Sequence, residues 1–291
     1  MTAGDPVLKS YPCAICNVTD RTLVFRKNGR AIKRSFQIVR CRGCGHHYVD
    51  PRVSDEDLGS IYDDAYYRGR GFDTGIDFYS QPSPELLGSI ERTIELVASI
   101  ARRPLETMTW LDYGCGAGTQ VLRAAAHGAA AFGYDMGPPA RAICAQKGVK
   151  VLDDEELAEK AGTFDVVSAV EVIEHVTEPR AFLRTLTQLL KIGGILYVQT
   201  GNWNLIRHVP GRPYVMPEGH LQYFTPSTMR RLFATSGLRE ANVPNPSWIG
   251  YKAIDRLSLP APARDLVALL ERTLRVVAPG YAQFPVGIRV D

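Results

Sequence analysis

Chemistry in this chain concentrates where glycines, acids and cysteines recur at short spacing. Residues 110–119, WLDYGCGAGT, read as a buried strand through Trp110 and Leu111 that meets a turn holding Gly114, Gly116 and Gly118, after which a helical pattern resumes from Gln120. Glycines at such a corner take positive φ and let a ligand approach the backbone, while the next helix offers unpaired N–H groups to a polar or negative group. The spacing is G-x-G-x-G, not the G-x-G-x-x-G that cradles a dinucleotide pyrophosphate, which argues against NAD. Residues 131–135, AFGYD, read as a second strand ending in Asp135, about twenty residues after the glycines, where an acid can hold ribose hydroxyls. Asp112 and Asp135 therefore flank the turn, and a positively charged nucleoside suits the pair better than a diphosphate.

Downstream, DVVSAV reads as a buried central strand, and Glu171-Val-Ile-Glu174-His175-Val follows where its end turns outward. Glu171 and His175 then occupy the same edge as the glycines, with Glu174 the more structural acid. The long segment 201–225 holds Asn202, Trp203, Arg207, His208, Tyr214, Glu218, His220 and Tyr223, and long loops at that edge usually carry function.

Of the six cysteines, Cys13-Ala-Ile-Cys16 and Cys41-Arg-Gly-Cys44 form C-x-x-C pairs near the start. Each pair is a knuckle whose thiolates reach one ion, and four thiolates close a tetrahedron, which implies a structural zinc. Asn28-Gly29 predicts a hairpin turn between the pairs. Neither pair opens a helix after a strand, which disfavours redox work. His46 and His47 follow at once but are not needed as ligands. The ribbon is basic, and without interleaved aromatics its charges read as a solvated surface more readily than as a phosphate contact.

Certain elements must position these residues. Ser54 predicts the N-cap of a short helix reaching about Tyr62, with Asp57 completing a capping box, and Tyr66-Tyr67 predicts a mobile aromatic loop. Ser83-Pro84 opens a helix whose apolar face holds Leu87, Ile90, Ile94 and Val97. Strands are expected at 108–113, 131–134, 150–152, 164–170 and 195–200, separated by helices and therefore parallel. Ligands in such a sheet sit beyond the carboxyl ends of the strands, where every motif above falls. Asp154 is the expected cap of a helix over 155–160, Thr225 starts another that ends at Gly237, and 238–243, a helix at 263–277 and a strand at 282–290 complete the pattern.

DYGCGAG, then GYD, then FDVVSAVEVIEHV resembles the class I S-adenosylmethionine-dependent methyltransferases in order and separation. The resemblance implies a doubly wound, mostly parallel, seven-stranded Rossmann-like α/β sheet over residues 83–291, after a zinc ribbon at 1–50 and a linker with lid elements at 51–82, and an insert at about 244–280 forming a substrate wall. It implies S-adenosylmethionine as cofactor, held by Asp112, Gly114, Gly116, Gly118, Asp135, Met136 and Glu171, with Asp153 or Asp154 at the adenine amino group. Zinc-ribbon sugar C-methyltransferases of antibiotic pathways are similar, and place a histidine after the fourth strand and an acid–histidine pair after the fifth. The corresponding positions are His175, Glu218 and His220, although here a glycine separates the acid from the second histidine. His220 is then the first candidate base and His175 the second, with Glu218 and Tyr223 orienting or polarising. The implied substrate is a small-molecule methyl acceptor, an O or C nucleophile of a sugar or secondary-metabolite intermediate; the alternative is ribosomal RNA, and the asparagine- or aspartate-proline-proline-aromatic motif that would favour base methylation is replaced here by EVIEHV.

Composition sets the outer bounds. The chain has 291 residues, 45% of them hydrophobic, enough for one large α/β domain and a small appendage. A net charge of +3 neither demands nor excludes a nucleic acid. No apolar signal core opens the chain and no run reaches the length of a membrane span, so the expected location is the cytoplasm.

Overall fold

The structure is a computed structural model that describes residues 11–73, 77–212, 214–241 and 282–290. The expected helix at 263–277, the insert around it and residues 242–243 lie outside the described residues.

The main sheet is built on β4 (Thr109–Tyr113) and β6 (Phe164–Val170), apolar runs whose residues are nearly all buried. Its strand order is β5 (Ala130–Tyr134), β4, β6, β7 (Leu190–Gly201), β11 (Val286–Arg289) and β9 (Leu238–Glu240). The first four strands are parallel, and β11 runs antiparallel to both β7 and β9. A short β10 (Ala282–Gln283) also pairs antiparallel with β7, at Thr200 and Gly201. The sheet is therefore a mixed one of six strands in series. The third expected strand, at 150–152, is reduced to a single parallel bridge between Gly133 and Val151, so the seven-stranded path is not completed there.

Strand periodicity sorts the core into two layers. Trp110, Val166, Ile195 and Tyr197 face Ile90, Ile94 and Val97 of α3 (Pro84–Ala101). Their neighbours Leu111, Val167, Leu196 and Val198 face Leu183 and Leu186 of α7 (Pro179–Leu189), with Leu232 and Phe233 of α9 (Pro226–Ala234). Ser83 and Thr225 cap α3 and α9 as expected, their hydroxyls accepting from Leu86 and Thr228 N–H.

The cysteine-rich segment forms an antiparallel sheet of β1 (Arg21–Asn28), β2 (Ser35–Cys41), β3 (His47–Val49) and β8 (Gln222–Tyr223). The hairpin expected between the cysteine pairs is present, with β1 and β2 antiparallel and joined through 29–34, starting at Gly29, where a Cβ would meet Glu218 Oε2 at 3.1 Å. The last strand of this sheet comes from the loop after β7. Val49 N–H donates to Leu221 O at 2.9 Å, and Leu221 N–H donates to Glu174 O at 2.8 Å. Between the two sheets lie α1 (Asp55–Ile61), capped by Ser54, and α2 (Asp64–Tyr67), a short helix where a loop was expected.

One buried polar node joins the centre of the main sheet to α4 (Thr119–Ala126). Ser168 Oγ accepts from Trp110 Nε1 at 2.8 Å and Gln120 Nε2 at 2.7 Å, and donates to Asp112 Oδ1 at 2.7 Å. Ser168→Ala strands these partners in the core, and a buried polar group without a partner costs roughly 1–3 kcal/mol. A thermal or urea unfolding midpoint reads this loss; a midpoint equal to wild type would show that the node contributes no stability.

Candidate active site

At the end of β4 the chain turns through Gly114, Gly116 and Gly118, at φ of 77°, 53° and 70°, which side chains rarely adopt. A Cβ on Gly114 would also strike Val172 Cγ2 at 2.5 Å, so the glycine corner packs against the turn after β6. The carboxylate of Asp135, at the end of β5, accepts from Gly116 N–H at 2.9 Å and from Gly137 N–H at 2.8 Å. It therefore borders the corner as the sequence placed it. Burial raises its pKa against the pull of those two N–H groups and of Arg141.

Asp112 is more deeply enclosed. Its Oδ1 accepts from Ser168 and Gln120, and burial, aided by the charge of Asp135, pushes its pKa up to about 7. Two further expected cofactor residues sit differently. Met136 is 77% exposed. Asp153, not Asp154, caps α6 (Asp154–Glu159), in a reciprocal box with Glu156, so its carboxylate is already engaged; Asp154 accepts from the Tyr134 hydroxyl at 2.6 Å.

The other side of the corner is the turn after β6. Glu171 stands at φ 53°, its N–H donating to Gln199 O and its carboxylate accepting from Gln199 Nε2 at 3.3 Å. His175 and His220 come together, ring centroids 4.7 Å apart. His175 Nδ1 lies 3.0 Å from Gly219 O and 2.9 Å from the Tyr62 hydroxyl, and His220 Nδ1 lies 2.7 Å from Tyr214 O. A carbonyl oxygen can only accept, so each of these Nδ1 atoms carries a hydrogen.

Glu218 and Tyr223 are not brought to this pair. Glu218 is fully buried and turned toward the β1–β2 connection, accepting from Arg30 N–H at 2.5 Å and Ala31 N–H at 3.1 Å. Tyr223 lies in the core of the cysteine-bearing sheet, with Phe36 and Ile38, against Trp203, centroids 4.7 Å apart. The places beside the histidines belong instead to Glu174, Tyr214 and Tyr62. The Tyr214 hydroxyl donates to Glu174 Oε1 at 2.8 Å, accepts from Gly201 N–H at 3.0 Å, and its ring packs 4.3 Å from that of His220.

An aromatic cover closes the corner. Tyr62, Tyr66 and Phe72 pack edge-on and stacked, and Phe78 lies over Gly116, where a Cβ would meet its ring at 2.6 Å. The Tyr67 hydroxyl rests against Gly137.

The four cysteines of the ribbon converge. Cys13 and Cys44 sulfurs are 3.6 Å apart, those of Cys16 and Cys41 3.4 Å, and all four lie within 4.8 Å of one another. Thiolates on one zinc sit roughly 3.8 Å apart at tetrahedral bond lengths, so the donor set fits that ion. His46 and His47 stay outside the cluster; His46 Nε2 pairs with Gln222 Oε1 at 2.9 Å, and burial lowers its pKa to about 4.

A glycine corner, an acid at the end of the neighbouring strand and a parallel sheet define an α/β domain of the methyltransferase class. The sequence pattern of a family described as a methyltransferase domain matches residues 88–241, and the chain belongs to that family. The chain is similar to the ubiquinone biosynthesis O-methyltransferase of Caulobacter vibrioides, 42% identical over 114 residues that cover 36% of this chain and 45% of that protein. The enzyme of the same name from Parvibaculum lavamentivorans is 34% identical over 156 residues, 48% of this chain and 62% of that one. The chain thus spans less than two thirds of the length of these relatives. Its fold is shared with the magnesium protoporphyrin IX methyltransferase of Synechocystis PCC 6803, solved with bound S-adenosylmethionine, at 17% identity and a TM-score of 0.51 over 82% of this chain and 99% of that one. Among the described residues no helix is long and apolar enough to cross a membrane.

The raised pKa of Asp112 has a measurable sign. An unfolded aspartate titrates near 3.9, so between about 4 and about 7 the folded protein holds a proton there that the unfolded chain has released. The contribution of Asp112 to stability therefore falls as pH rises through that window. Unfolding midpoints of the cofactor-free protein across this range should decline more steeply for wild type than for Asp112→Asn; parallel slopes would assign the ionisation to other groups.

Proposed function

We propose that this protein transfers the methyl group of S-adenosylmethionine to a hydroxyl oxygen of a small molecule, a sugar or secondary-metabolite intermediate. The observation that carries the reading is the pair of histidines with fixed tautomers, next to a glycine corner that two buried carboxyls border. The acceptor's oxygen forms a bond to the methyl carbon as the carbon–sulfur bond breaks, releasing S-adenosylhomocysteine, and the hydroxyl proton passes to an Nε2 of the His175–His220 pair. Gly114, Gly116 and Gly118 bring backbone against the cofactor, Asp135 takes ribose hydroxyls, and Asp112 and Glu171 supply negative charge near the sulfonium. Tyr62, Tyr66 and Tyr67 act as its cover and exclude water. The similarity to ubiquinone biosynthesis O-methyltransferases supports transfer to oxygen. EVIEHV after β6 lends the ribosomal RNA alternative no support.

The four cysteines hold a structural zinc in this reading, and the ribbon forms one wall of the acceptor site. Its connection is the backbone path from Val49 through Leu221 to Glu174.

His220→Ala should lower turnover by roughly 10²-fold or more while leaving the dissociation constant for S-adenosylmethionine nearly unchanged. Equal loss of both would remove His220 from the chemistry. Asp135→Asn should do the reverse and weaken cofactor binding in calorimetry, and an unchanged constant would count against its ribose role. Cys44→Ser, which opens the cysteine cluster, should slow transfer by a positional loss on the order of 10²-fold with cofactor affinity retained; wild-type turnover would make the ribbon dispensable to the site.

A further inference from the structure

Tyr214 bridges the ends of two central strands. Its hydroxyl accepts from the N–H of Gly201, the last residue of β7, at 3.0 Å, and donates to Glu174 Oε1, in the turn after β6, at 2.8 Å. Thr200 Oγ1 lies 3.5 Å from the same oxygen. The Glu174 carboxyl also pairs with Glu171 and Thr200, so the phenol joins a polar cluster that both strand ends share. Burial, together with the charges of Glu174 and Glu171, raises the pKa of this hydroxyl well above its ordinary value and keeps it a donor. Gly201 makes the room: a Cβ there would meet Tyr214 Cζ and, at 2.6 Å, the hydroxyl oxygen itself.

The other end of the same residue holds His220. The Tyr214 carbonyl accepts from His220 Nδ1 at 2.7 Å, and the phenol ring packs against the imidazole with centroids 4.3 Å apart. One residue therefore grips the imidazole at an edge and on a face, while its own hydroxyl is fixed to β7 and to the turn after β6. A hydrogen bond at one ring nitrogen sets the tautomer and leaves the chemistry to the other. We propose that Tyr214 is a positioning residue for His220, carrying the placement of the β6 and β7 ends into the direction and tautomer of the imidazole. Its hydroxyl is engaged by Gly201 and Glu174, so it acts through His220 and not on the acceptor. The support matters because a base displaced by about 1 Å loses on the order of 10²-fold in rate. That consequence rests on the methyl-transfer reading, whereas the setting of the imidazole does not.

The test uses the full, zinc-loaded chain without other ligands, isotopically labelled at its histidine nitrogens and read by nuclear magnetic resonance, with the His220 signals identified by their loss in His220→Gln. The expected wild-type spectrum shows His220 as the Nδ1–H tautomer, its proton exchanging slowly with water. Tyr214→Phe keeps the ring and the carbonyl and removes only the anchoring hydroxyl; exchange at His220 should quicken at least about tenfold, the scale of one lost hydrogen bond. Gly201→Ala, which crowds the same hydroxyl, should act likewise and decides the matter if the first variant fails to fold. The His175 proton, held by Gly219, is the control and should keep its rate. A wild-type His220 without an Nδ1 proton, unchanged exchange in the variants, or equal quickening at both histidines would overturn the proposal. A merely packed tyrosine would lower the unfolding midpoint and leave His220 exchange as it was, which also overturns it. Calorimetry with S-adenosylhomocysteine keeps the two readings apart: a wild type that binds none of it ends the methyl-transfer reading and leaves the imidazole measurement intact.

Discussion

The peptide of Leu221 holds this molecule's two halves in register. Its carbonyl accepts from Val49 in the cysteine ribbon, and its N–H donates to the carbonyl of Glu174 in the turn after β6. One residue thus ties the small sheet to the carboxyl edge of the large one, and its neighbour on the chain is His220. The position of that imidazole is set by backbone hydrogen bonds on both sides, reinforced by Tyr214 O on its own ring. A site built this way does not depend on a mobile loop finding its place. The strand pairing of β3 with β8 extends the same constraint, through His47–Tyr223 and Tyr48–Gln222.

The cofactor corner works by a different balance. Asp112 and Asp135 are both removed from water, and burial works against their ionised forms. In the proposed reading, a sulfonium entering the corner would supply the positive charge that such carboxyls lack, so that ligand and acids would stabilise each other in a low-dielectric setting. The Ser168 node keeps Asp112 fixed. At the opposite end of the same strands, Asp165 meets Arg103 and Lys191 and is held well below the usual carboxylate range. The two ends of β6 therefore differ in kind: an ion-pair cluster at its start, and at its finish buried carboxyls whose ionised forms burial opposes.

Sequence made the corner legible because its determinants are local. Three glycines at fixed spacing can only be a tight turn, and the apolar runs before and after it can only be strands in a covered sheet. The cysteine pairs were readable for the same reason. The surroundings of the histidines were not. Glu218 stands two residues from His220, so spacing suggested a working pair, yet residues in a turn diverge and Glu218 points to N–H groups of Arg30 and Ala31, far away in sequence. Its place is taken by Glu174, adjacent to His175, whose burial depends on the distant Tyr214 and on the Leu221 peptide. Tyr62 was read only as a helix end, and its contact with His175 requires the linker to fold back over the sheet edge. At 150–152 the local signal was apolar enough for a strand, but pairing with β5 extends to one bridge only.

The aromatic cover follows from the same geometry. A glycine corner must be bare of side chains for a ligand to approach, and bare backbone next to apolar walls is costly to leave open to water. Phe78 over Gly116 and Tyr67 against Gly137 fill that place from the linker, and the glycines are what admit them. Any ligand that takes the corner must displace these rings or share the space with them. Because Tyr62 belongs to the same aromatic cluster and holds His175, displacement there bears directly on the imidazole pair. The glycine corner and the imidazole pair are in this way joined through a single packed group of rings, contributed by the segment between the cysteine-bearing sheet and the main sheet.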